Sequence, residues 1–88
     1  MKEGETISPT KMKQLLANHS QKMWDAEKKV FVDIPLNTRY DGTPVKIVEL
    51  REVSNYKYVR AESETQKLRW VYHIKSKNLI MGAIIPLE

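Results

Sequence analysis

Three consecutive segments of this chain, VKIVELREV (45–53), YKYVRAES (56–63) and LRWVYHIK (68–75), are rich in period-two alternation, with only short connections between them. A period of two sends successive side chains to opposite faces of a strand, and tight connections make neighbouring strands antiparallel. An antiparallel sheet is therefore what this sequence constrains most. In the third segment Leu68, Trp70, Tyr72 and Ile74 share one face, expected to be core. Arg69, Val71, His73 and Lys75 take the other. The first segment carries apolar residues on both faces near its start, Val45 and Ile47 against Val48 and Leu50, which predicts a strong bend or a bulge. Ser54-Asn55 reads as a tight turn and Glu64–Lys67 as the next connection.

Upstream, residues 1–7 are polar and expected to be flexible. Ser8 is a helix cap, and Pro9 suits a first helical position, where its missing N–H has no partner to lose. Met12, Leu16, His19, Met23, Ala26 and Val30 then recur at helical spacing, with Leu15 widening the stripe, and predict an amphipathic helix over 8–29. His19 reads as a packing residue on that stripe, and Lys11, Lys22 and Lys29 would align along one flank. Trp24 falls off the stripe: it either packs under a neighbouring loop or is exposed for contact. From Val30 the period becomes two, with Val32, Ile34 and Leu36 on its face and Phe31 and Asp33 opposite, and Pro35 marking an edge or an end. NTRYDGTP reads as a long loop, SKNL as a single turn, and Ile80–Ile85 as a fifth strand.

The 88 residues amount to one domain, and a chain of this size buries only about 60–65% of its unfolded surface. With so thin a core, closing five strands over 30–85 into a barrel removes the open edges. The expected fold is α+β: an N-terminal amphipathic helix followed by a five-stranded antiparallel barrel. The chain has no cysteine, which suits a reducing cytoplasm. MKEGETISPTKMK lacks the apolar core of a signal peptide, and no run approaches the ~18 apolar residues of a membrane span. A cytoplasmic protein with no membrane partner is the expectation.

DGTPVKIVEL, YKYVRAE and RWVYHIKSKNL together resemble the SH3-like small β-barrels, in particular the KOW, Tudor and retroviral-integrase C-terminal types. In those barrels a Trp-Val-His-like strand end leads into a short helical turn and a final strand. The resemblance spans 30–85 and implies such a barrel and a nucleic-acid or chromatin partner. The chain lacks the central glycine of KOW and the four-residue aromatic cage of Tudor, so it carries over no methyl-lysine site. One barrel hosts many unrelated sites, and the residues must supply the function.

Catalytic signals are sparse. There is no cysteine nucleophile, glycine-rich phosphate loop, HExxH or paired-carboxylate motif, and the expectation is a non-enzymatic protein without cofactor or metal. The net charge of +4 is unevenly placed: residues 45–80 carry +4, residues 1–44 only +1. A basic half of this kind attracts DNA, RNA or an acidic protein. Arg69, His73 and Lys75 are expected on the outer sheet surface, joined by Lys57, with Arg60 near the strand end and Lys46, Arg51 and Lys77 extending the field. Tyr56 and Tyr58 share a face, and they either complete the core or stack on unpaired bases. The alternative is a regulatory protein-interaction module docking through the helix, Trp24 and a barrel groove.

Overall fold

A computed structural model describes residues 1–87. Its centre is an antiparallel sheet of five strands, each paired with the next and curled into a half-barrel. These are β1 (Thr6–Ile7), β4 (Val45–Val53), β5 (Tyr56–Glu62), β6 (Gln66–His73) and β7 (Leu79–Pro86). Between β1 and β4 lie helix α1 (Pro9–Leu16), a separate hairpin of β2 (Ser20–Asp25) and β3 (Val30–Pro35), and a helical turn α2 (Leu36–Arg39).

The three alternating segments form β4, β5 and β6 as a continuous meander. Ser54 takes a left-handed φ of 54° in the β4–β5 turn. The conflict of faces in β4 is resolved by a bulge: register shifts between Ile47 and Glu49, and Val48 turns outward while Val45 and Ile47 stay fully buried. Leu68 and Trp70 of β6 are buried as their spacing requires, beside Val59 and Ala61 of β5 and Ile84 of β7. Ile7, Met12 and Leu16, with Leu36 and Tyr40, complete this single core cluster. Gly82 permits the closest approach: a Cβ there would stand 3.0 Å from Leu36 Cδ1, so the missing side chain lets the buried leucine lie on β7 beside Trp70.

The N-terminal helix is shorter than its stripe predicted. Ser8 caps it, its Oγ accepting from the Lys11 amide at 3.3 Å, and Pro9 opens it as expected. It stops at Leu16, and Asn18 follows with a φ of 64°, a left-handed conformation that asparagine tolerates. Met23 and Trp24, read as helical, instead belong to β2, while Lys22 lies on β2 and Lys29 in the turn, so no lysine flank forms. Asp25 builds that turn. Its Oδ1 accepts from the amides of Glu27 and Lys28 at 3.0 and 3.1 Å, and its carbonyl from the Lys29 amide at 2.8 Å. Pairing with the adjacent 30–35 segment closes a short loop at little entropic cost. His19 follows the helix, its carbonyl accepting from the Leu36 amide at 2.9 Å.

This hairpin also changes the barrel. The 30–36 segment was expected in the main sheet, but its backbone partner is β2. The two-residue β1 takes the fifth place, and β1 and β7 stand at opposite ends of an open sheet. Residues 4–7 are tied to β4, with Gly4 N–H donating to the Ile47 carbonyl at 2.8 Å and Ile47 N–H to the Glu5 carbonyl at 2.9 Å. At the β7 edge the backbone groups of Ile84 are capped by side chains: Arg39 donates twice to the Ile84 carbonyl, at 2.7 and 3.2 Å, and Gln21 Oε1 accepts from the Ile84 amide at 2.9 Å. Such capping removes strand groups that would otherwise invite another chain. Among the described residues no helix is long and apolar enough to cross a membrane.

Candidate nucleic-acid interface

One face of the curled sheet packs on the core, and the other is largely open. The open face is a grid whose rows are set by strand register. Val53, Tyr56 and His73 form one row across β4, β5 and β6. Arg51, Tyr58, Val71 and Met81 form the next, and Glu49, Arg60, Arg69 and Ala83 the third. Lys46, Glu62, Lys67 and Ile85 form the fourth. Rows on one face are about 7 Å apart, two strand residues along the chain.

The grid holds five cations, Lys46, Arg51, Arg60, Lys67 and Arg69, against two carboxylates, Glu49 and Glu62. Interleaved with them are exposed apolar and aromatic groups. Tyr56 is 39% and Tyr58 44% exposed, which answers the question their spacing left open: neither is in the core. Two hollows lie on this face. The larger, about 440 Å³, is walled by Arg51, Tyr58, Val71 and Met81, and the smaller, about 290 Å³, by Val48, Lys67 and Ile85. Arg60 and Arg69 line both. Apolar side chains rimmed by cations present a surface on which a flat, anionic ligand can lie.

Of the expected site residues, Lys46, Arg51, Arg60, Arg69 and His73 come together here with Tyr56 and Tyr58. Three do not. Lys57 lies on the opposite face, paired in register with Glu52 and Tyr72, and its Nζ meets the Glu52 carboxylate at 3.3 Å. The period of two that turns Tyr56 and Tyr58 outward requires this. Lys75 sits in the turn after β6, and Lys77, with a φ of 59°, lies beside a different groove of about 530 Å³, between the end of α1 and the β6–β7 turn. His73 closes the first row: its ring meets Tyr56 edge-on at 5.6 Å, and Nδ1 is held by Ser76, whose Oγ lies 3.2 Å away.

Lys67 and Glu49 are further members of the grid that residue spacing had not singled out. Lys67 is two residues from Arg69, so its face was readable once the strand was known to begin at Gln66. Glu49 reaches the grid through the β4 bulge and lies 3.9 Å from Arg60 Nη1.

Trp24 is elsewhere, on the β2–β3 hairpin. It is 56% exposed and meets Phe31, 68% exposed, edge-on at 5.2 Å between ring centres. Phe31 was expected opposite the Val32–Ile34 face, and it is.

Neither a family model, nor a curated protein, nor a solved structure matches this chain. The site therefore rests on its own chemistry. Among the described residues no group of three or more His, Asp or Glu is placed to hold a metal.

Proposed function

We propose that this chain is a small, non-enzymatic binding protein that holds single-stranded nucleic acid on the open face of its sheet. The observation that supports it best is the grid itself, where Tyr56 and Tyr58 stand in successive rows beside Arg51, Arg60 and Arg69. Exposed tyrosines offer faces on which any base can stack, and the cations neutralise phosphates without reading sequence. The curled five-stranded sheet is broadly compatible with a small barrel. Kinship with the SH3-like barrels, and a cytoplasmic setting, belong to the same proposal.

Fluorescence anisotropy with labelled single- and double-stranded DNA and RNA tests it. Four phosphate contacts to a single strand give a log–log salt slope of about −2.8, an affinity loss of about 50-fold between about 50 and 200 mM salt. Single strands should bind more tightly than duplexes, and Tyr58→Ala should weaken single-strand binding by about 1–3 kcal/mol. Absence of binding at low salt would refute the reading.

One observation favours a second reading, a protein-docking module: the exposed Trp24–Phe31 pair, since buried aromatic anchors dominate many protein interfaces. Capture of a protein that is lost with Trp24→Ala and retained with Arg69→Ala would favour it.

A further inference from the structure

Arg60 and Arg69 stand directly opposite one another on β5 and β6. Directly opposed residues hold their Cβ atoms about 5 Å apart, and like charges so placed destabilise a sheet. Both side chains are exposed on the open face. Their neighbours in the row differ. Arg60 faces Glu49, 3.9 Å away, whereas Arg69 faces Ala83 and has no carboxylate within salt-bridge distance among the described residues. The pair also marks the border between the two hollows and lines both. A ligand passing from one hollow to the other must cross it.

Resting on the nucleic-acid reading above, we propose that Arg60 and Arg69 clamp a single backbone phosphate where the strand crosses this border, and that Glu49 competes with that phosphate for Arg60. A phosphate between the guanidinium groups turns a repulsive pair into two charge-assisted contacts. Glu49 sets the strength of the clamp: while it pairs with Arg60, a ligand meets one free guanidinium instead of two. The flanking nucleotides then lie in the two hollows, one against Tyr58 and Met81, the other against Val48 and Ile85.

Two titrations separate the clamp from the reading it rests on. The first uses inorganic tripolyphosphate and follows the arginine side-chain Nε–Hε signals by NMR. The second uses a labelled single strand of about 15 bases, within the usual length of such sites. The Arg60 and Arg69 signals should move together in both. Glu49→Gln should tighten both ligands about two- to five-fold, the range of an exposed ion pair, and this gain should vanish in an Arg60→Gln background. Arg69→Gln should lower the oligonucleotide salt slope by about 0.7. All three exchanges are on the surface; Arg60→Gln and Arg69→Gln relieve the repulsion and should hold or slightly raise the melting temperature, and Glu49→Gln should lower it little, so a change in binding does not come from loss of the fold. Oligonucleotide binding that leaves both arginine signals still, or that Glu49→Gln weakens, would overturn the clamp and keep the interface. Tripolyphosphate binding at both arginines without oligonucleotide binding would keep the anion clamp and overturn the nucleic-acid reading.

Discussion

Trp70 shows what a single side chain does in so thin a core. It is 2% exposed, and its buried indole Nε1–H meets no acceptor among the described residues. An unpaired buried donor costs about 1–3 kcal/mol, so the ring stabilises through area and packing alone. Trp70→Ala should therefore cost about 3–5 kcal/mol, a large share of the stability of an 88-residue domain. Trp70→Phe, which removes the unpaired donor and keeps most of the ring, should cost much less; urea midpoints compare the two. Equal losses would show that the donor is satisfied in solution. At the same scale, Asp41 accepts from the Thr65 hydroxyl and, at 3.0 Å, from the Thr43 amide. The Thr65 bond, opposed by partial desolvation and aided by Thr43, holds its carboxyl below the ordinary 3.8. A lowered folded pKa means that its stabilisation is complete above the unfolded value and lost as pH falls through the folded one. Asp41→Asn should therefore flatten the fall in urea midpoint below about pH 5 relative to wild type.

At the scale of the element, the β2–β3 hairpin has the most consequence. Lys29 holds a φ of 56°, a conformation that costs a non-glycine residue about 1–2 kcal/mol. Lys29→Gly should then be neutral or stabilising by up to about 1 kcal/mol, because the glycine pays more entropy but no strain. Asp25→Ala, which frees two turn amides, should destabilise by about 1 kcal/mol in the same melts. The helical spacing from Met12 to Val30 concealed this hairpin, since Met12 and Leu16 do lie on a helix and Met23 falls on the same spacing by coincidence. The local chemistry was nonetheless in the chain: Asn18 and Ser20 favour an ending, Asp25 a turn, and Gln21, Met23 and Asp25 alternate with Lys22 and Trp24. The β4–β6 meander was legible because prevailing alternation, close spacing and short turns all agree there, and even the β4 bulge followed from apolar residues on both faces. Which strand would occupy the fifth position was not legible, because β1 has only two residues and no period can be read from two.

For the whole molecule, the hairpin leaves the sheet open, and its open face carries the cations and exposed tyrosines of the proposed interface. The radius of gyration, 13.3 Å, exceeds the about 12 Å of a compact chain of this length. Residues 26–31 and 51–56, the tips of two hairpins, are exposed throughout. Half of the candidate site followed from period-two logic, which put Arg69 and His73 opposite Trp70. The other half needed register across strands, which aligned Arg51, Arg60 and Glu49 with them, while the period of two in β5 put Lys57 opposite Tyr56 and Tyr58. The measurement that tests the central claim most directly is an amide NMR titration of the whole chain with single-stranded DNA at low salt. Shifts should concentrate at Arg51, Tyr56, Tyr58, Arg60, Arg69, Val71 and Met81 and leave Trp24 and Phe31 still. Shifts confined to the Trp24–Phe31 hairpin, or none at all, would contradict the account.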